Sequence, residues 1–400
     1  VSRPAPQPVV RVSRKGEERI LGGHPWVFGD DLRDVPSSLP PGCWCRVESR
    51  AGRFLGTATV NLSARLALRL LSRGEATPSD SFFLGRMAEA DERRDRDGYG
   101  LLQARRLLFS EGDSLPGLVA DLYGDVLSVQ ILTAGMEVAR EAILSALVER
   151  YSPRLVFERS EGAGRKLEGL PERRGPLHGE GDPAGEVRLD GLSFRVDASA
   201  GPKTGLFLDQ RENRLLAARH AAGRRVLDGF CSTGAFGLYA LKGGAASVLA
   251  VDASAWAVDT ARENAAANGC ARRWEGRKGN LFDVLRALHE AGERFGMVVL
   301  DPPSFAKGRE GKVGALRGYR DVNRFGAMLL EEGGILATAS CTQRVGPAEW
   351  REAVRQGASD GGVLLERVED GRQPADHPVL LNVPETEYLK FTLYRRRPLP

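Results

Sequence analysis

The sequence predicts an α/β chain: a C-terminal doubly wound, mostly parallel sheet, preceded by a small all-β barrel module and a central α+β domain. Three observations predict it. From about residue 191 onward, strand-like apolar runs alternate with segments of helical spacing, the rhythm of an open parallel sheet. The first seventy or so residues hold only short β-type runs broken by turns. Finally, 400 residues are too many for one core at about one domain per 150 residues. The expected boundaries are 1–73, 74–190 and 191–400.

In the first module the β-type runs are 8–12, 43–47, 54–60 and 66–71, with Pro40-Pro41-Gly42 as punctuation. The segment 22–28, Gly-Gly-His-Pro-Trp-Val-Phe, reads as a hydrophobic corner of that barrel. The central domain begins with a helix over 82–96. Apolar runs at 118–122 and 126–132 flank Tyr123-Gly124-Asp125 as a hairpin, a helix is expected over 138–151 and a strand over 155–158, and 159–185 reads as an irregular Gly/Arg/Glu/Pro-rich stretch. In the third domain strands are expected at 225–227, 247–251, 297–300 and 334–340. The helices between and after them fall at 234–241, 254–268, 316–330 and 347–356. Ser254 starts the second of these helices as an N-cap and Asn268-Gly269 stops it.

Composition narrows the function classes. Hydrophobic residues make up 42% and charged residues 28%, with 48 glycines, so the chain can bury real cores joined by many tight turns. The net charge is +4, and residues 1–70 carry 11 Lys/Arg against 6 Asp/Glu, a local excess of +5. A nucleic-acid footprint must therefore come from the N-terminal module and from patches. Five cysteines are odd in number and sparse, as expected of reduced thiols in the cytoplasm. They have no zinc-ligand spacing with the histidines, so no metal is expected. The first residues lack the apolar run of a secretion signal, and nowhere do about 18 apolar residues run together, so neither secretion nor a membrane span is expected.

In a doubly wound sheet, ligands bind beyond the carboxyl ends of the strands. Four predicted strands end there in Asp228, Asp252, Asp301 and Cys341. The turn after the first, Asp228-Gly-Phe-Cys-Ser-Thr-Gly234, fails the G-x-G-x-x-G pattern of dinucleotide sites, which disfavours a nicotinamide oxidoreductase. It suits a ligand with a cationic amino group and no phosphate, and Asp252, 24 residues on, can accept both hydroxyls of a ribose. A cationic adenosine ligand without phosphates is S-adenosylmethionine. Both carboxylates also read as caps on the helices that follow. In Asp301-Pro-Pro-Ser-Phe305 the prolines free carbonyls to accept an amine and Phe305 offers a face for a base, so Pro302 and Phe305 are expected at the substrate; a rigid turn that merely stops the strand is the alternative.

Taken in order, several motifs resemble the bacterial large-subunit (23S) ribosomal RNA cytosine-5 methyltransferase family. They are Lys203-Thr-Gly-Leu-Phe-Leu-Asp-Gln-Arg-Glu-Asn213-Arg214, Leu227-Asp228 through Tyr239, Leu300-Asp-Pro-Pro-Ser-Phe305, Ala339-Ser-Cys341, and the pair at 373–382 and 384–390. The segment 22–28 resembles a PUA RNA-binding domain, and 111–125 resembles the family's central domain. The resemblance implies a Rossmann-like methyltransferase domain, S-adenosyl-L-methionine as cofactor, 23S rRNA as partner, no membrane association, a cytoplasmic enzyme and the family's usual homodimer. It implies Cys341 as the nucleophile that adds to the base and Asp301 as its proton-handling neighbour. It places Phe207, Asp209, Gln210 and Arg211 in a cofactor lid, and Asp228, Phe230, Gly234, Asp252, Asn280 and Asp283 around the cofactor. Gly229, Ser232 and Ala235 depart from the family's usual turn, and Thr342-Gln343-Arg344 stands where many members have Ser and His.

Read from composition alone, Cys341 is a buried strand-end thiol rather than a nucleophile; Asn280 also reads as a helix N-cap, and Asp209 as a cap with Arg211 and Arg214 exposed. Two other functions fit the motifs. One is methylation of a guanine nitrogen in rRNA, which needs no thiol. The other is a non-catalytic RNA-binding factor of ribosome assembly.

Overall fold

The computed structural model describes residues 7–36, 38–200, 206–305 and 311–399. The chain divides into two compact units. The first comprises Val1–Val187, Val196–Leu206 and Ala375–Thr386; the second comprises Arg188–Arg195, Phe207–Pro374 and Glu387–Pro400. The expected third domain, 191–400, is thus interrupted twice by segments that belong to the first unit. No helix among the described residues is long and apolar enough to cross a membrane.

Among the described residues, the first unit holds two sheets of five or more strands. Six short strands form the N-terminal one in the order Trp26–Val27, Leu68–Ser72, Phe54–Val60, Cys43–Ser49, Val9–Val12, Leu32–Arg33. Their inward residues, Val10, Val12, Val47, Ala58, Val60 and Leu68 among them, build one core with Ile20. Ile20 belongs to a helix, Arg14–Leu21, that the sequence reading missed; only Gly16 and Ile20 of it are buried, too few to show an apolar periodicity. The second sheet has five strands, Arg173–Gly179, Leu155–Ser160, Val126–Ile131, Leu118–Tyr123 and Ala104–Phe109 in spatial order, covered by helices Asp80–Arg96 and Arg140–Tyr151. The hairpin expected around Tyr123-Gly124-Asp125 is present, with Tyr123 opposite Val126. The expected helix 138–151 is present as Arg140–Tyr151, preceded by a short separate helix, Ala134–Val138, and the stretch 159–185 is not irregular but contains helix Ala163–Leu167 and edge strand Arg173–Gly179. Trp44, from the N-terminal sheet, packs edge-on against Phe82 and Phe83 at 5.3 and 6.3 Å, so both sheets share a core.

The second unit is a seven-stranded sheet. Its strands, numbered along the chain, are β1 (Arg225–Gly229), β2 (Ser247–Asp252), β3 (Trp274–Lys278), β4 (Phe295–Leu300), β5 (Leu330–Ser340), β6 (Leu364–Gly371) and β7 (Lys390–Arg397), in spatial order 3-2-1-4-5-7-6. β1 to β5 are parallel, and β7 pairs antiparallel with β5 and β6. Unbroken apolar runs such as Val298-Val299-Leu300 are what a strand buried on both faces requires. The helices are α1 (Arg211–Ala218), α2 (Ala235–Lys242), α3 (Ala255–Ala267), α4 (Leu281–Glu290), α5 (Gly311–Met328) and α6 (Pro347–Asp360). Ser254 caps α3 as expected, its Oγ accepting from the N–H of Ala257.

A buried ion pair anchors the first unit. Arg94 is fully buried, and its guanidinium donates to both carboxylate oxygens of Asp113 (3.0 and 2.8 Å) and to the carbonyls of Ala90 and Asp376 (3.1 and 2.8 Å). Burial alone would raise the Asp113 carboxyl; Arg94, Arg93 and the Phe109 N–H outweigh it and hold the group below its ordinary range. Asp113→Asn should therefore cost about 3–5 kcal/mol in urea unfolding, because a buried guanidinium loses its counter-charge. The folded carboxyl lies below the unfolded value of about 3.9, so its contribution is complete above that pH and fades as pH falls. The variant should lose less stability on acidification than the parent, and a cost under about 1 kcal/mol would contradict the assignment.

Candidate active site

Parallel register brings the four predicted strand ends to one rim. Gly229 lies opposite both Val251 and Leu300, and Leu300 lies opposite Thr338. Asp228, Asp252, Asp301 and Cys341 therefore follow or end neighbouring strands at the carboxyl edge, and β1 and β4 are adjacent there, at the switch in strand order.

The turn after β1 is conformationally strained. Phe230 and Ser232 adopt positive φ of 61° and 49°, and Gly234 has φ of 81°. A non-glycine residue held there costs on the order of 1–3 kcal/mol, a strain that clusters at ligand sites. Gly234 is required for a second reason: a Cβ on it would meet the Trp274 ring at 2.7 Å. The loop is held by Cys231 N–H to the Val251 carbonyl (3.0 Å) and Ser232 N–H to Oδ2 of Asp252 (3.0 Å). Oδ1 of Asp252 accepts from the N–H of Ser254 (2.9 Å). Asp228 lies deeper, 1% exposed, with Oδ2 accepting the Gly237 N–H at 2.8 Å. Burial pushes its carboxyl up to about 7, against the Gly237 N–H and with help from the negative charges of Asp301 and Asp252. Its partner is thus the first turn of α2. Asn280 caps α4, its Oδ1 accepting from Phe282 N–H at 3.0 Å, and the Gly279 N–H reaches the Asp252 carbonyl at 2.9 Å. Asp283 is exposed, 3.8 Å from Arg286.

Of the expected lid, Lys203, Thr204 and Gly205 lie outside the described residues. The carbonyl of Phe207 accepts from Arg214 (2.6 Å), and Arg211 makes a two-point ion pair with Asp190. Oδ2 of Asp209 accepts from the Tyr388 hydroxyl at 2.6 Å. Gln210 is buried and faces Asp301. The N–H of Arg372 can only donate, and it donates to Oδ1 of Asn213 (3.0 Å). The Asn213 amide nitrogen therefore donates to Oε1 of Gln210 (2.7 Å), and Nε2 of Gln210 donates to Oδ1 of Asp301 (2.8 Å). A peptide group thus fixes both amide orientations and one carboxylate oxygen. Gly371 makes room for the relay: a Cβ there would stand 2.1 Å from Oδ1 of Asn213. Local sequence does not reveal what Asn213 and Tyr388 do, because these partners are 159 and 179 residues away.

Cys341 follows β5 and is half-buried, with Sγ 4.0 Å from the Pro302 carbonyl. The residues on either side are pinned. Ser340 Oγ donates to the Tyr319 hydroxyl (2.9 Å), which also bonds Thr342 Oγ1 (2.7 Å), and Thr342 Oγ1 donates to Ser304 Oγ (3.1 Å). Pro302 is buried. Phe305 is half-buried, its ring centre 6.2, 5.9 and 5.0 Å from those of Phe230, Phe282 and Tyr319. Cys231, on the turn after β1, is only 5% exposed. Burial, then the carboxylates of Asp228 and Asp252, pushes its thiol well above the ordinary range.

The sequence profile of the S-adenosylmethionine-dependent methyltransferases matches residues 173–393, and that of a PUA-like domain matches 10–73. Proteins named ribosomal RNA large subunit methyltransferase I are similar nearly end to end. Those of Aeromonas hydrophila and Tolumonas auensis are 39% and 38% identical over 96% of this chain and 98% of their own. That of Salmonella arizonae is 36% identical over 96% of each. Among solved structures, a methyltransferase complexed with SAH superposes with a TM-score of 0.84 at 23% identity, over 97% of this chain and 100% of its own. A SAM-dependent methyltransferase from Streptococcus mutans does so with a TM-score of 0.82 at 22% identity and the same coverage. At these identities the likeness shows the shared fold.

The two rim thiols should differ sharply in reactivity. Brief exposure of the native chain to iodoacetamide should label Cys341 and spare Cys231, read by peptide mass spectrometry, because attack needs an accessible thiolate. Equal labelling of Cys231 would contradict the burial and charge assigned to it.

Proposed function

We propose, for a chain that belongs to the S-adenosylmethionine-dependent methyltransferases and within them to the ribosomal RNA large subunit methyltransferase I family, that it methylates carbon 5 of a cytosine in 23S rRNA. The observation that carries the choice of atom is Cys341: a half-exposed thiol beside the Asp301-Pro302 turn, where the other rim cysteine is buried. Carbon 5 of cytosine is a poor nucleophile. Addition of the Cys341 thiolate to carbon 6 forms an S–C bond and moves the ring electrons toward carbon 5 and the 3-nitrogen. Asp301, held by Gln210, is the group we assign to the proton at that nitrogen. After carbon 5 carries its new substituent, its proton passes to solvent, the electrons so freed expel the thiolate, and the 3-nitrogen returns its proton to Asp301, which restores the ring. Pro302 and Phe305 are assigned to hold the base.

S-adenosylmethionine, when bound, supplies the electrophilic methyl group. The residues present fit it, since the turn 228–235 carries no lysine or arginine to meet a phosphate and its strained backbone leads to the carboxylate of Asp252. We assign Asp252 to the ribose, Asn280 and Asp283 to the adenine side, and Phe230 and Gly234 to the turn. Phe207, Asp209 and Arg211 are assigned to a lid over the cofactor, and Asp228 to the support of the turn from beneath.

For RNA docking we assign 1–73, with 74–190 as the central domain and 191–400 as the methyltransferase domain. A cavity of about 340 Å³ in the PUA-like module is lined by Lys15, Arg19, Arg65 and Phe28, with Asp30 and Asp31 at its side, and Arg19 lies over the Phe28 ring at 4.9 Å. Cations beside an aromatic face suit a phosphate and a stacked base. A cytoplasmic homodimer completes this reading.

The test uses rRNA carrying 5-fluorocytidine, which blocks loss of the 5-substituent, so that the enzyme–RNA adduct accumulates on the attacking residue. The parent and Cys231→Ser should form it and Cys341→Ala should not, while Cys341→Ala retains S-adenosylmethionine affinity. Asp252→Ala should lose at least tenfold in that affinity, as expected for charge-assisted bonds of about 1.5–3 kcal/mol. An adduct peptide containing Cys231 would contradict the assignment.

A further inference from the structure

Lys390 opens β7, opposite Ser340 in the β5–β7 ladder. Its ammonium has all three donors engaged by carbonyls: Thr342 (2.7 Å), Tyr388 (2.9 Å) and Val345 (3.1 Å). Thr342 directly follows Cys341, and Val345 closes the same turn through its N–H to the Thr342 carbonyl (3.2 Å). Three carbonyl bonds hold the ammonium against this turn. We propose that Lys390 is a positioning residue for the methyl-transfer reaction, its fixed positive charge stabilising the thiolate of Cys341 while its three bonds shape the turn that presents the sulfur.

The charges around the sulfur support this. Cys341 interacts electrostatically with Lys390 from β7 and with Tyr319 from α5. Asp301, after β4, adds its charge to that of Cys341 in pushing Tyr319 up, although burial is the larger cause. Glu387, three residues before Lys390, acts on the ammonium. Of Tyr319 and Lys390, the first would oppose a thiolate if ionised, and the second is the cation that favours it. Burial pulls the ammonium down to about 8, with the charges of Cys341 and Glu387 opposing that pull. It is therefore mostly charged at neutral pH, where a free thiol near 8.5 is only a few per cent ionised.

The proposal rests on Cys341 as the nucleophile, but its test does not depend on methyl transfer. The rate of Cys341 alkylation by iodoacetamide is followed from pH 6 to 10 by peptide mass spectrometry on the full chain. In the parent the midpoint should lie at least one unit below about 8.5. Lys390→Gln keeps a donor without the charge and should raise that midpoint by at least one unit, with about a tenfold slower rate at pH 7, whereas Lys390→Arg should stay near the parent. An unshifted midpoint in a folded Lys390→Gln, or equal shifts in both variants, would overturn the proposal. So would a parent midpoint at or above about 8.5, a measurement that needs no variant to fold. Methylation by Cys341→Ala would sink the nucleophile assignment and leave the midpoint comparison intact, so the two failures are distinguishable.

Discussion

The parallel register of β1, β2, β4 and β5 is the constraint on which the candidate site depends. Because Gly229, Val251, Leu300 and Thr338 stand in neighbouring register, the polar residues that end those strands meet at one edge. The cost is electrostatic. Asp228, Asp252 and Asp301 gather near one another, and the carboxyl of Asp228 is pushed up to about 7 by burial and, in part, by the other two. The fold answers with fixed donors: Gly237 N–H for Asp228, Ser232 and Ser254 N–H for Asp252, and the Gln210 amide for Asp301. Dipoles held by the backbone need no reorganisation when charge changes in a reaction, which is the advantage of preorganised sites.

The amide relay extends this logic from the rim to the end of β6. One peptide N–H, that of Arg372, sets the direction of two side-chain amides and thereby orients Asp301. Beside it, Oε1 of Gln373 accepts from the N–H groups of Tyr388 and Leu389 (2.6 and 3.0 Å), and Tyr388 reaches Asp209. Lys390 follows two residues later, at the Cys341 turn. Within the second unit, Arg372 is thus linked to Asp301 through two side-chain amides, and Lys390 bonds the turn that follows Cys341.

Much of this was legible in the sequence, for physical reasons that differ by element. The parallel strands are continuous apolar runs and announce themselves; Ser254 and Asn268 mark the ends of α3 almost to the residue. That Asp252, Asp301 and Cys341 share one edge is legible because strand ends are where a doubly wound sheet places its polar residues. β6, Leu-Leu-Glu-Arg-Val-Glu-Asp-Gly, is an edge strand largely exposed, and strand Arg173–Gly179 carries glycine and proline at an edge, so neither has the pattern that betrays a buried strand. Lys390 lies in a strand ending Tyr-Arg-Arg-Arg, where a lysine reads as one more surface cation. Arg94 and Asn213 are buried by partners far away in sequence, and no local spacing reveals a long-range hydrogen bond. Asn280 shows the opposite case: a local signal, an asparagine just before an apolar helical run, marks the cap that the structure contains.

The central claim is the identity of the methylated atom, and it is tested most directly by the product nucleoside. Large-subunit rRNA from a strain lacking the gene is incubated with the purified chain and methyl-labelled S-adenosylmethionine, digested to nucleosides and separated by mass spectrometry. The account predicts that the label is found in 5-methylcytidine. Label in an N-methylated guanosine, with none in 5-methylcytidine, would contradict it.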